Sequence, residues 1–597
     1  MCGIAGYFLK PDASPLRHSL EVMQSRLYHR GPDGQDTQRC GQAGFTQTRL
    51  AIIDLEGGRQ PFVSQQADGK AMLVANGEIY NHQRLRDELA ESFAFQSRSD
   101  CEVLLALWLA RPAALMSAAR GMFAAALYDE ASDRGCLVRD PFGIKPLYYC
   151  EHDTGLYFAS EISALRAAGL GEQTPNPLMA AYVLDKQFAP RPVAAFAGIQ
   201  KLAPGETLAI DGGRITGRTT ESPLMAKQTP SAPAALDSVL TDSVAAHQMS
   251  DVPFGLFLSG GVDSSVLLAT MARLRQAGKI AHHTPHLLAY TARFDSDEVA
   301  DETALARALA KKTGAEFIDI SYDKARFFAE CGAAVAAMDE PVADYAILPS
   351  FALANRAKND VKVVLSGEGG DEFFAGYGRY RAGLRRVGAK FPTRAGPALS
   401  AGLLRPDLAT SLRRQLDLSA EKMPSFLDRL RSPNSALGQL QHYDIDFWLP
   451  DNLLVKLDRC LMHNSLEGRT PFIDRILSVY GFHLPFDQKL NAGKGKYALK
   501  AWLSTHLPEA RPFARKRGFT VPVGQWIDAE SDKLAPAIAR LTFLSELVHT
   551  DMIAPVFRDA GGRGGLLAWR LLFLGLWHQI HVRGVSADQP VLDILNS

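Results

Sequence analysis

A cysteine directly follows the initiator methionine in the opening MCGIAGYF. A thiol attacks carbon as its thiolate, and a free cysteine ionises only near about pH 8.5, so it needs a base. If Met1 is trimmed, as a small second residue permits, Cys2 gains an α-amino group titrating near about pH 8. That amine can take the thiol proton, which puts nucleophile and base in one residue. Other parts of such a site follow along the chain. Arg49 in TRLAIID is a planar fork suited to an amino-acid carboxylate. Asn76 and Gly77 in ANGEIYN offer a side-chain amide and a backbone N–H, the donor pair of an oxyanion hole. Asp100 in SRSDCEV can hold an ammonium group. HRGPDG (residues 29–34) and RDPFGIKPLYY are turn-rich stretches fit to form a pocket wall. Singly, these residues also read as a surface arginine, a turn Asn-Gly and a helix cap; it is their combination that points to one site.

A second set lies in the C-terminal half. FGLFLSGGVDSS (residues 254–265) is an apolar strand entering a Gly-Gly turn and then a helix. Glycines let backbone approach a phosphate, and a helix N-terminus supplies N–H donors. The GxxxxGK[ST] pattern of a Walker loop is absent. An aspartate within a phosphate loop requires a cation between the charges, which points to Mg²⁺. VVLSGEGGDEFFAGY (residues 363–377) repeats the strand-to-loop pattern with acids among glycines. There Asp371 can share Mg²⁺ with Asp263, and Glu368 can orient or deprotonate an attacking amine. Cations come from LLVKLDRCLMHNSLEGRTPFID and FARKRGFTVP. Lys516 is the candidate for steadying charge on a transferring group, with Lys456 and Arg459 as lesser candidates.

Different elements must position these two sets. Residues 1–210 alternate short strands with a few helices, an α+β pattern. Residues 211–233, rich in Gly, Thr, Ser and Pro, read as a linker between domains. From residue 234, apolar strand candidates alternate with helices, which implies a parallel doubly wound sheet. The chain of 597 residues is too long for one core. Equal numbers of basic and acidic residues, 65 each, argue against a nucleic-acid partner. No apolar run reaches the length of a membrane span. The stretch LLAWRLLFLGLW carries Arg570 and reads as a buried or half-buried helix. Seven cysteines without metal-ligand spacing or a secretion signal fit a reducing cytoplasm, and six of them are expected to be inert buried thiols.

MCGIAGYF, HRGPDG, TRLAIID, NGEIYN and SRSDCEV, in that order, resemble the class II glutamine amidotransferase domain. SGGVDSS, SGEGGDE and the segments after them resemble the synthetase half of the glutamine-hydrolysing asparagine synthetases. Together the resemblance covers nearly the whole chain. It implies an Ntn-hydrolase-type αββα sandwich followed by a nucleotide-binding α/β domain. It also implies that Cys2 attacks the glutamine amide and that Asn76 and Gly77 hold the oxyanion. Arg49, Leu50, Ala51, Ile52, Ile53, Glu78 and Asp100 would surround the rest of glutamine. Phe257, Ser259, Gly260, Gly261, Asp263, Ser264, Ala292, Ser366 and Gly367 would surround ATP, with Phe257 and Ala292 placed by counting along strands. Asp263 and Asp371 would hold Mg²⁺, and Glu368 and Lys516 would serve the chemistry. The implied reaction is adenylation of an aspartate side chain by ATP, followed by attack of ammonia delivered through an enclosed channel. A homodimer is left open as the assembly. Pro141 and Phe142 stand where many members carry a polar pair, and this leaves the acceptor open to other carboxylates, among them sugar uronates and cell-envelope or natural-product precursors. A silent sensor of nucleotide or glutamine is the remaining alternative.

Overall fold

The computed structural model describes residues 2–225, 234–279, 284, 286–294, 303–385, 395–427, 435–514, 521–562 and 564–597. The N-terminal half is two six-stranded antiparallel sheets. In spatial order the first holds Ile199–Lys201, Tyr148–His152, Gly155–Ala159, Cys2–Leu9, Ala43–Arg49 and Gly34–Cys40. The second holds Arg214–Thr220, Glu206–Asp211, Arg134–Arg139, Gly121–Asp129, Gly69–Ile79 and Phe62–Gln66. Strand alternation builds the layers. Along Cys2–Leu9, Cys2, Ile4 and Phe8 face the second sheet, where Met72, Val74, Ala124 and Leu137 meet them. Ala5, Tyr7 and Leu9 face the opposite way, toward the helices Ser19–Arg26 and Ile162–Ala167. Helices His82–Leu89 and Glu102–Ala110 cover the far side of the second sheet. This is the expected αββα sandwich, and Cys2 begins a central, fully buried strand.

The first ten residues of the expected linker are not a linker. Arg214–Thr220 pairs with Glu206–Asp211 as the edge hairpin of the second sheet. Gly212 and Gly213 turn the chain with φ of 52° and 68°, the conformation a two-residue hairpin demands. Turn chemistry read as a domain boundary was therefore the tip of a hairpin. Residues 226–233 of that expected linker lie outside the described residues.

The C-terminal half contains a five-stranded sheet, parallel throughout, ordered Glu316–Tyr322, Leu288–Phe294, Phe254–Phe257, Val363–Leu365 and Glu467–Arg469. The first of these strands in sequence sits in the middle. The chain winds outward on one side and then returns to the other, so a switch point lies between Phe254–Phe257 and Val363–Leu365. Loops leaving the C-terminal ends of two such strands diverge and leave a crevice. The apolar stretch around Arg570 is the buried helix Gly565–His581, and Arg570 reaches back to the carbonyls of Leu184 and Asp185. Among the described residues no helix is long and apolar enough to cross a membrane. All seven cysteines are free and buried.

The halves dock through buried charges. Arg30, fully enclosed, grips Asp458 with two hydrogen bonds of 2.8 and 3.0 Å and Glu161 with a third of 2.7 Å. Arg459 binds Asp339 at 2.6 Å and Asp458 at 2.9 Å. Two histidines are caught in the same contact region. His247 packs against Tyr80 across the boundary, with ring centroids 4.3 Å apart and the planes tilted by 42°, and His463 packs between His29 and Phe351. Burial lowers the proton affinity of each ring, to a pKa of about 4. The unfolded chain takes up these protons near about pH 6.5, whereas the folded protein resists until about pH 4. Between those values the unfolded state binds more protons, so this stability is present above about pH 6.5 and is lost as the pH falls. Taken alone, the two rings should lower the thermal midpoint as the pH falls from about 6.5 to 5, while Glu372, whose carboxyl burial pushes up to about 8, acts in the opposite sense. His463→Phe should flatten the fall. A pH slope left unchanged by His463→Phe would contradict the burial described for that ring.

Candidate functional site

Cys2 sits opposite Arg49 in the sheet and is itself buried. Its backbone nitrogen, the atom that becomes the α-amine when Met1 is removed, donates to Asn76 Oδ1 at 3.1 Å. The other end of that amide, Nδ2, is buried without a hydrogen-bond partner. A buried donor left unpaired is costly unless a ligand arrives to accept from it. Asn76 thus holds the Cys2 backbone nitrogen with one atom and keeps a buried donor unpaired with the other. Gly77 follows on the same strand, paired with Phe123. Burial pushes the Cys2 thiol above its ordinary range, while the Leu50 N–H and the Arg49 charge pull it back.

Arg49 turns toward its own loop. Its guanidinium donates to the carbonyls of Leu55, Ile53 and Asp54 at 3.0, 3.2 and 2.6 Å. It therefore fixes the turn from Ile53 to Leu55, at the end of the run from Leu50 to Ile53 that was expected to line the glutamine pocket. Asp33 of HRGPDG holds the same run through Ala51 N–H at 2.8 Å and reaches Lys362 of the second domain at 2.7 Å. Ile52 O accepts from Asp251 N–H at 2.9 Å, again across the boundary. Glu78 and Asp100 are both buried. Asp100 accepts Ile79 N–H at 2.6 Å, and Glu78 Oε2 has no hydrogen-bond partner. Burial raises the proton affinity of both, and for Glu78 the nearby charges of Asp100 and Glu467 add to it. Two enclosed acids disfavouring each other's charge are ready for a cationic ligand.

The second site lies at the switch point. After Phe254–Phe257 the loop is held by its own hydroxyls. Ser264 Oγ accepts from Ser259 N–H at 3.2 Å, and Gly261 N–H donates to Ser259 Oγ at 3.2 Å. Helix Val262–Gln276 then starts, with Asp263 in its first turn. Phe257 and Ala292 are partly buried on neighbouring strands, and the ring of Phe257 meets Tyr290 edge-on. Ser366 leaves the adjacent strand with its N–H on Arg469 O at 2.8 Å, and Gly367 lies against Asp263.

Asp263 and Asp371 converge, as expected, but on a residue the sequence reading missed. Lys496 Nζ stands 2.5 Å from Asp263 Oδ2 and 2.8 Å from Asp371 Oδ1. Gly376 makes room for it, since a Cβ there would fall 1.9 Å from Asp371 Oδ1 and 2.2 Å from Lys496 Cε. Burial works against the ammonium charge, but the two carboxylates outweigh it and keep Lys496 protonated. The signal in the sequence was slight: a lysine between glycine and a helix in NAGKGKYALK, at a positive φ of 54°. Lys516, the cation expected here, lies outside the described residues. Lys456 does reach the site, 3.4 Å from Glu368 and 3.5 Å from Asp344. Arg459 does not; it belongs to the domain contact, so the helix face that carries both residues is buried rather than solvated.

Among the described residues no group of three or more metal-binding side chains occurs. Two aspartates aimed at one point nevertheless suit a hard cation that completes its shell with phosphate oxygens and water. Asp263 and Asp371 are the residues that would hold Mg²⁺, with Lys496 marking the point where positive charge is favoured.

Residues 1–221 match the model of a glutamine amidotransferase domain and residues 235–579 that of asparagine synthase. Glutamine-hydrolysing asparagine synthetase 1 of Bacillus subtilis is 30% identical, over 98% of this chain and 97% of its own. A putative enzyme of the same description from Mycobacterium tuberculosis is 31% identical over the same shares. Asparagine synthetase B of Escherichia coli is 28% identical over 90% of this chain and 86% of its own. With both site constellations present in one docked chain, this protein belongs to the glutamine-hydrolysing asparagine synthetase family.

Proposed function

We propose that the chain makes asparagine from aspartate, ATP and glutamine. The observation that carries this reading is that one chain holds both Cys2, with its reserve donor on Asn76, and a doubly wound sheet whose loops converge on Asp263, Lys496 and Asp371. At the first site the Cys2 thiol gives its proton to its own amine, and the sulfur attacks the glutamine amide carbon. Asn76 Nδ2 and Gly77 N–H stabilise the oxygen as it gains charge. The carbon–nitrogen bond breaks, ammonia leaves with the proton, and water hydrolyses the thioester to glutamate.

At the second site the Ser259–Ser264 loop and the Ser366–Gly367 turn receive the ATP phosphates. The aspartate side-chain carboxylate attacks the α-phosphorus, and pyrophosphate departs. Lys496 offsets negative charge where it accumulates, and a bound Mg²⁺ held by Asp263 and Asp371 would offset that of the pyrophosphate. Ammonia then attacks the acyl carbon, Glu368 accepts a proton, and AMP leaves. An apolar cluster joins Leu50, Ile52, Met122, Phe142 and Ile144 of the first domain to Leu258, Phe373 and Ile473 of the second. Its walls suit passage of neutral ammonia and exclusion of water.

A second reading keeps this logic and changes the acceptor to another carboxylate. It draws on a Penicillium rubens relative described as an amidase, 32% identical over 64% of this chain and 60% of its own. Purified protein with glutamine, ATP, Mg²⁺ and aspartate should yield asparagine, AMP and pyrophosphate. ADP as product would overturn adenylation, and AMP formed only with a different acid would overturn aspartate as acceptor. Cys2→Ala should abolish glutamine-dependent synthesis yet leave synthesis from ammonium, and blocking methionine removal should act in the same way. Loss of both activities together would contradict the division of labour. Lys496→Met should lower pyrophosphate release by about 100-fold or more while glutamine hydrolysis continues, the size expected when a preorganised charge is removed.

A further inference from the structure

Strand Glu467–Arg469 belongs to the synthetase sheet, yet its last side chain ends beside the acids of the other domain. Arg469 Nη2 lies 3.2 Å from Glu78 Oε1. Nε pairs with Glu467 Oε1 at 2.5 Å, and Nη1 donates to the carbonyls of His247 at 3.0 Å and Met249 at 2.5 Å. The guanidinium is fully buried, so these contacts fix its plane. Glu78 Oε1 therefore meets Arg469 as an ion pair without a hydrogen bond, since Nη2 is buried without a hydrogen-bond partner, and Oε2 is likewise buried and unpartnered. A carboxylate with one oxygen beside a fixed guanidinium and the other unsatisfied is prepared for a second cationic donor.

The ligand expected in this pocket carries such a donor in its α-ammonium group. We propose that Arg469, a residue of the synthetase domain, is a positioning residue for glutamine recognition: it turns and holds Glu78 so that Oε2 receives the ammonium. The inference rests on reading the Cys2 pocket as a glutamine site. It makes that site a composite, with its nucleophile and oxyanion donors on one domain and the support of its ammonium grip on the other. Glu467 steadies Arg469 from its own strand, and neither residue touches the scissile amide.

The test compares glutamine with glutaramate, the same molecule lacking the α-amino group, as glutaminase substrates of the full chain. For Arg469→Met the KM for glutamine should rise about tenfold with kcat changed far less, as when one charge-assisted hydrogen bond is lost. The preference for glutamine over glutaramate should fall by the same factor, because glutaramate never used the grip. Arg469→Lys should give an intermediate preference, since it keeps the charge but not the fork. A purely structural arginine would depress both substrates alike and leave the preference unchanged, and that result overturns the proposal. The double variant Glu78→Gln/Arg469→Met should discriminate no worse than Glu78→Gln alone; independent, multiplying losses would also overturn it. If removal of the buried cation prevents folding, Arg469→Lys and Glu78→Gln still read the preference. A wild-type chain without glutaminase activity would instead refute the glutamine site itself.

Discussion

Asp458 receives two arginines at once, Arg30 from the first domain and Arg459 from its own helix. All three are buried, and a charge taken from water without a partner is strongly unfavourable. Arg30 has Glu161 within its own domain, but two of its strongest contacts lie across the boundary. The pairing is therefore complete only when the domains are docked in one orientation. Its net contribution to stability is modest, because desolvation offsets much of the attraction. What it supplies is register, and the rest of the molecule uses that register. The helix Leu454–Met462 presents Asp458 to Arg30 and, two residues earlier, Lys456 to Glu368. The ion pair that joins the domains thus also fixes a cation in the synthetase site.

How much of this was legible in the sequence depended on whether a residue's role was local. Cys2, Asn76 and the SGGVDSS loop act through backbone shapes their neighbours encode: a strand, a strand interior, a strand-to-helix turn. Their motifs therefore sufficed to place them. Lys496 acts through a fold-back that brings residue 496 against residues 263 and 371, and no local pattern carries that information. Arg459 and Lys456 are adjacent on one helix, and only the docking decided that one faces the site and the other the contact. Gly212 and Gly213 misled for the opposite reason. A two-glycine hairpin and a linker look alike until the strands on either side are seen to pair. Arg49 was recognised as important, but the carbonyls it holds lie in a loop whose path the sequence did not specify.

The same distinction explains why strand Glu467–Arg469 carries so much in three residues. Its edge pairs with Val363–Leu365, so Arg469 O fixes Ser366 N–H at the mouth of the nucleotide loop. Lys145 of the first domain reaches its middle residue, Gly468, through the carbonyl. Its outward side chain meets Glu78. One rigid element that borders both sites fixes their separation. A parallel strand buried on both faces is such an element, since displacing it would break ladder hydrogen bonds and expose charges together. An apolar cluster also bridges the two domains, and its low polarity makes the buried ion pairs beside it intolerant of misalignment. The domain boundary therefore combines apolar packing with ion pairs that are complete in one orientation only.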